Sequence, residues 1–195
     1  MGHYLLDNWE TLKSSSILEL GAGVGLAGIL ASKLPGAERV VLTDYDHGSI
    51  KLLEENVQLN STANDTCKIS TEFLEWGKTL VSDENGCMSC VGCIKSKSSD
   101  EMRGVKLETF SLVIGTDLLY CIEIVEPLFS SVKTLLFNAK SSRFILVSSF
   151  NPGEDIELAI TVLCSRIGLT IEELVKLDEI GKICRVQYFK HKDEF

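Results

Sequence analysis

The chain predicts an α/β three-layer sandwich around a mostly parallel sheet. Short apolar runs at 39–43 and 110–115 read as strands covered on both faces. The stretches between runs carry apolar residues at helical spacing, as in Val125, Leu128, Val132 and Leu135. The two kinds of segment alternate β-α-β-α-β and then β-α-β-α-β-β, seven strands in all, with the last two expected as an antiparallel pair.

Taken in order, residues 3–13 place Tyr4, Leu5, Leu6, Trp9 and Leu12 at helical spacing, a helix that covers the sheet. Residues 17–20 are the first strand. Residues 24–34 are a helix stopped by Pro35-Gly36. The second strand, 39–43, ends at Asp44, and Asp46 is the expected N-cap of a helix over 48–59. A third strand at 67–73 runs into Leu74-Glu75-Trp76-Gly77. The fourth strand, 110–115, ends at Thr116-Asp117-Leu118-Leu119-Tyr120, and a helix follows. After the fifth strand, 144–149, Asn151-Pro152 predicts a helix start with Asn as N-cap and Pro at the first position. Gly168 ends that helix, and 170–174 and 184–189 are the closing strands.

The 195 residues are expected to form one domain. Residues 82–106, rich in Ser, Gly, Lys and Asp, read as a long flexible surface loop inside it. Hydrophobic residues make up 45 %, too many for a disordered chain. The net charge of −9 argues against a nucleic-acid partner and favours a basic protein surface. No apolar run approaches the roughly 20 residues that span a bilayer, and no signal peptide opens the chain. Met1-Gly2 resembles a myristoylation start, but Leu6 stands where Ser or Thr is wanted. Of seven cysteines, Cys67, Cys121, Cys164 and Cys184 read as small core residues of a protein in a reducing compartment, cytosol or nucleus. Cys87, Cys90 and Cys93 offer three thiolates where a structural zinc wants four ligands, so reduced thiols and no metal are expected. A monomer is the default, since no exposed apolar repeat is evident.

In open parallel sheets ligands bind at the carboxyl ends of strands, where the strand order switches. The stretch 17–28 ends an apolar run on Glu19, then sets Gly21, Gly23 and Gly25 at alternate positions before a helix. Such a loop lets a ligand press on bare main chain beside unpaired helix amides. Two frames fit it. Gly23-x-Gly25-x-x-Gly28 matches the dinucleotide fingerprint. Glu19-x-Gly21-x-Gly23-x-Gly25 resembles motif I of methyltransferases that use S-adenosylmethionine, and it gives Glu19 a task, binding the ammonium of the methionine part directly or through water. Asp44, closing the second strand, suits the two ribose hydroxyls that both cofactors carry, and otherwise serves as a helix cap. Trp76 is placed near an adenine ring or is a buried aromatic. Asp117 and Tyr120 follow a strand expected beside the first, so they face the transferable group; capping the next helix is the other task open to Asp117.

Glu-Leu-Gly-Ala-Gly-Val-Gly-Leu-Ala-Gly-Ile (19–29), Leu-Thr-Asp (42–44), Asn-Val-Gln-Leu-Asn (56–60), Glu-Trp-Gly (75–77) and Asp-Leu-Leu-Tyr (117–120) occur in one order. Together they resemble the non-SET protein-lysine methyltransferases of the seven-β-strand class, methyltransferase family 16 of the methyltransferase-like 21 type. The resemblance covers about residues 5 to 176, and its most specific mark is the D-x-x-Y motif that Asp117 and Tyr120 match. It implies a Rossmann-like seven-stranded sheet and S-adenosyl-L-methionine as cofactor, leaving S-adenosyl-L-homocysteine. It further implies a lysine-bearing protein as acceptor, with Asp117 and Tyr120 catalytic. Glu19, Gly21, Gly23, Gly25, Asp44, Trp76 and Thr116 are then the cofactor set. Family members usually carry a further N-terminal segment that helps close the cofactor site; here the chain begins almost at the helix before the first strand, so a short lid is expected. The loop at 82–106 is longer than the family's. A methyltransferase of small molecules, a cofactor-binding scaffold without turnover, and a dinucleotide oxidoreductase are the rival readings.

Overall fold

A computed structural model of the protein describes residues 1–12, 16–77, 80–82, 87–90, 105–106, 110–136, 142–179 and 182–192. In chain order the elements are α1 (Gly2–Leu12), β1 (Ser16–Leu20), α2 (Leu26–Ser32), β2 (Arg39–Asp44), α3 (His47–Asn60) and β3 (Lys68–Phe73). Three short strands come next, β4 (Leu80–Ser82), β5 (Cys87–Cys90) and β6 (Val105–Lys106). Then follow β7 (Leu112–Thr116), α4 (Val125–Leu136), β8 (Arg143–Ser148), α5 (Glu154–Ile167), β9 (Leu169–Glu179) and β10 (Lys182–His191).

Seven strands form one sheet in the order β3-β2-β1-β7-β8-β10-β9. The first five of that order run parallel and the β9–β10 hairpin closes the edge antiparallel. The expected three-layer sandwich with its mostly parallel sheet is therefore what the chain forms. Strand pleating sends alternate side chains to opposite faces. Leu18 and Leu20 of β1 join Phe129, Val132, Phe144, Ile160 and Phe189 under α4 and α5. Ile17 joins Leu5, Trp9, Ala31, Val40, Leu53 and Ile145 under α1, α2 and α3. Each strand of the centre is thus buried on both faces, which is why it reads as a continuous apolar run.

Asp46 caps α3 as expected, its carboxylate accepting from the Ser49 amide at 2.7 Å. The start of α5 differs from expectation. Asn151 accepts from Gly153 N at 3.0 Å within a turn, and the helix begins only at Glu154. Gly153 has φ 98° and ψ 155°, a conformation open to glycine alone, so the helix cannot extend back through it to Pro152.

The stretch read as an irregular loop at 82–106 contains strand pairing, since β4, β5 and β6 make a small antiparallel sheet with β5 in the middle. Cys93 and the side chains of Cys87, Cys90 and Cys184 lie outside the described residues. Cys67 and Cys164 are buried, whereas Cys121 is only half-buried. Among the described residues no group of three or more His, Cys, Asp or Glu is arranged to hold a metal ion. Among them no helix is long and apolar enough to cross a membrane.

Candidate functional site

The sheet's order switches between β1 and β7, and the residues singled out in the sequence gather at the carboxyl ends around that switch. β1 pairs with β2 on one side and β7 on the other, with Leu20 opposite Gly115. Asp44 ends β2, Trp76 follows β3, Thr116 ends β7 and Asp117 follows it. This is the crevice where α/β sheets hold ligands.

The glycine loop rises from β1 and lies over the end of β2. Ala22 N donates to Thr43 O at 2.8 Å, Gly23 N to Asp44 Oδ2 at 3.0 Å and Gly25 N to Ala22 O at 2.8 Å. Gly21, Gly23 and Gly25 have φ of 57°, 55° and 84°, left-handed values that explain the choice of glycine at alternate positions. A Cβ at Gly23 would meet nothing within 4 Å, so this part of the loop presents bare backbone to open space. A Cβ at Gly21 would stand 2.8 Å from the Leu118 side chain and 3.1 Å from the ring of Trp76. Trp76 therefore packs against the loop and on the core beneath α4. It is held there by the next turn, in which Gly77 N donates to Ser131 Oγ at 3.0 Å.

Glu19 lies behind the loop and not in the crevice. It is 3 % exposed, and its Oε2 accepts from Gly28 N in the first turn of α2 at 2.8 Å. The expected contact with a cofactor ammonium, direct or through water, is joined here by a bond within the protein. The side chain ties β1 to α2 and satisfies an orphan amide at the helix start. Burial pushes its carboxyl up to about 7; the Gly28 amide and then the chain's amino terminus pull the other way.

Asp44 is 9 % exposed and tightly engaged. Its Oδ2 accepts from Gly23 N, and its Oδ1 accepts from Tyr45 N at 2.8 Å and Asp46 N at 3.1 Å. A carboxylate offers about four acceptor directions, so three are engaged and one remains open. The Thr116 hydroxyl is buried with no hydrogen-bond partner.

Across the crevice the acceptor side is built differently. Asp117 has φ 55°, the one positive φ outside glycine among the described residues. Its peptide N–H donates to Val147 O at 2.9 Å. Its carboxylate accepts from Ser149 N through Oδ1 at 2.6 Å and from Ser149 Oγ through Oδ2 at 2.9 Å. Tyr120 is 62 % exposed. Partial burial, and then the proximity of Tyr45, Cys121 and Asp44, push its phenol above the ordinary value.

The sequence model of a family described as lysine methyltransferase matches residues 2–89. Protein N-lysine methyltransferase METTL21A of Xenopus tropicalis is 30 % identical over 146 residues, 75 % of this chain and 54 % of that protein. The chain is thus similar to lysine methyltransferases of this family, over residues 2–89 for the family model. Calmodulin-lysine N-methyltransferase of Arabidopsis thaliana is 22 % identical over 139 residues, covering 71 % of this chain and 38 % of that one. The chain spans about half the length, or less, of these relatives. Among solved structures, the methyltransferase domain of bacterial CtHen1 superposes with a TM-score of 0.63 at 9 % identity, covering 98 % of this chain and 97 % of that one. The magnesium protoporphyrin IX methyltransferase of Synechocystis, solved with S-adenosylmethionine, gives 0.59 at 15 % identity, covering 98 % and 76 %. These likenesses establish the methyltransferase fold.

Two residues at this crevice escaped the sequence reading. Ser149 was only the last residue of a strand, and nothing local marks it as the partner of Asp117. Tyr45 is 61 % exposed beside Asp44, and an exposed aromatic directly after a strand-closing carboxylate was the available signal.

Proposed function

We propose that the chain is an S-adenosylmethionine-dependent methyltransferase that modifies a lysine side chain of a protein. One observation carries the reading. The glycine loop and the D-x-x-Y pair leave neighbouring parallel strands, Leu20 facing Gly115 in register, so a donor on the loop and an acceptor at Asp117 share one crevice.

The residues fit this cofactor. Open backbone at Gly23 admits a ligand against the main chain, Asp44 keeps one acceptor direction for a ribose hydroxyl, and the buried Thr116 hydroxyl lacks the partner that a bound polar group would supply. Trp76 borders the same loop as an apolar wall. When bound, the cofactor supplies a methyl group on a positively charged sulfur. Transfer is an in-line displacement, so placement of the two reactants provides most of the gain.

The acceptor side supplies that placement. A lysine ammonium, with a reference pKa of about 10.4, has no lone pair until it loses a proton. Asp117 would accept N–H bonds from the neutral amine and so leave the amine's lone pair directed at the methyl. The amine nitrogen would take the methyl group of a bound cofactor, whose sulfur keeps the electron pair of the carbon–sulfur bond, and the amine's proton would leave to water. Tyr120 borders the entrance and screens it from one side. An acidic chain of net charge −9 favours a basic, lysine-bearing partner. In this reading the protein acts as a monomer in the cytosol or nucleus, without a nucleic-acid or membrane partner.

The test is transfer of labelled methyl groups into proteins of a hypomethylated cell extract, with Asp117→Ala as control. A discrete labelled band that the control loses, yielding methyl-lysine on hydrolysis, is the expected result. No label in an extract containing unmethylated acceptors overturns the reading.

A further inference from the structure

We infer that Ser149 is a positioning residue that sets the carboxylate of Asp117 for the acceptor amine. The inference rests on the lysine methyltransferase reading and gives its acceptor side a component that the D-x-x-Y motif does not contain.

Three bonds join Asp117 to the end of β8. Its N–H donates to Val147 O at 2.9 Å, and its two carboxylate oxygens receive the Ser149 amide at 2.6 Å and the Ser149 hydroxyl at 2.9 Å. Both oxygens are held from one side by a single residue, so the carboxylate plane cannot turn about its bond to Cβ without breaking a bond. Each oxygen still has a lone pair directed elsewhere. Asp117 is therefore a fixed acceptor of N–H bonds.

Alternative uses of the serine are already taken by other groups. It does not cap α5, which starts at Glu154 after a turn in which Asn151 bonds Gly153. It is exposed, as its side chain would be in the unfolded chain, so its bonds add little net stability. What they supply is direction. Asp117 needs it, because φ 55° turns its side chain away from the path a strand would give it. Such backbone outliers persist where the surroundings over-determine them.

The experiment compares Ser149→Ala and Ser149→Thr with the wild type at saturating acceptor, by the initial rate of label incorporation into the acceptor band of a hypomethylated extract. Cofactor concentration is varied, and S-adenosylhomocysteine affinity is measured by calorimetry. In Ser149→Ala the maximal rate falls about tenfold, while the KM for S-adenosylmethionine and the S-adenosylhomocysteine affinity stay within about twofold. Ser149→Thr, which keeps the hydroxyl, restores most of the rate. A rate for Ser149→Ala within twofold of wild type, a parallel loss of cofactor affinity, or failure of threonine to rescue overturns the inference. Hydrogen exchange at the Ser149 amide gives a readout independent of turnover. It accelerates in Asp117→Ala if the clamp exists, and unchanged exchange overturns the clamp. Absence of labelling by the wild type refutes the methyltransferase reading instead, and the exchange measurement still decides the clamp.

Discussion

The two walls of the crevice are made of different material. On the β1–β2 side the parts are buried and joined through backbone: Glu19 to the Gly28 amide, Asp44 to the Gly23, Tyr45 and Asp46 amides, Ala22 to Thr43. On the β7–β8 side the parts are half-buried or exposed. Asp117 is held by Ser149, and Tyr120 projects with 62 % of its surface open. The first wall is continuous with the core, and the second is mounted on it. A fixed cofactor suits a wall that folds with the domain, while acceptors of varied shape suit one that can change without unfolding it. Damage to the first wall is expected to cost stability and binding together, and damage to the second to cost turnover alone.

The largest separation of the two is expected at Asp117. Asp117→Ala lowers methyl transfer about a thousandfold, roughly 4 kcal/mol. S-adenosylhomocysteine affinity by calorimetry and the urea midpoint both stay near wild type. A joint fall of transfer and affinity erases the distinction between the walls.

Glu19 gives the next largest effect, on stability. The unfolded carboxyl ionises near 4.5, whereas the folded one keeps its proton up to about 7. Between these values the unfolded state has already released the proton, so stability falls as pH rises. The favourable contribution is complete below 4.5 and lost by about 7, an amount on the order of 3 kcal/mol. Urea denaturation across this range measures the slope. Glu19→Gln, which cannot titrate, removes it; an identical slope in that variant assigns the pH dependence elsewhere.

Gly28→Ala is expected to be the smallest of the three. A Cβ there collides with the Leu42 side chain and stands 2.6 Å from Glu19 Oε2. Overpacking of this kind costs about 2 kcal/mol, and cofactor affinity falls with it because α2 is pushed from the loop. Calorimetry that shows normal affinity in a destabilised variant would separate the loop's function from the packing behind it.

The first wall was largely legible in the sequence because its signals are local. Alternating glycines after an apolar run, an aspartate closing the next one, and Asp46 before a helical pattern each follow from short-range rules. Glu19 was singled out in the sequence, but its bond to the Gly28 amide was not foreseen. Its acceptor role toward Gly28 requires the side chain to fold back along α2, and spacing alone does not show that. The second wall was legible as Asp117 and Tyr120, through the motif. Ser149 was not, because its meeting with Asp117 depends on the offset between β7 and β8, which pairs Thr116 with Val147. Sequence runs mark strand ends to within a residue or two and leave that offset open. The late start of α5 was missed because Asn-Pro is a strong local signal, and Gly153 overrides it through a conformation no other residue would adopt.

The order of the sheet also dictates how this protein comes into being. β1, β2 and β3 are joined by short crossovers, but β1 meets β7 only through a closure in which Ser16 and Ser111, 95 residues apart, lie side by side. Loop-closure entropy makes such a joint slow relative to local ones. The crevice is therefore expected to be assembled at the last joint, so that the cofactor wall exists before its opposite. Pulse-labelled hydrogen exchange during refolding should protect the Val40–Leu42 amides before those of Val113–Gly115. In a growing chain, the β7 side of the crevice forms only after residues beyond 117 have left the ribosome.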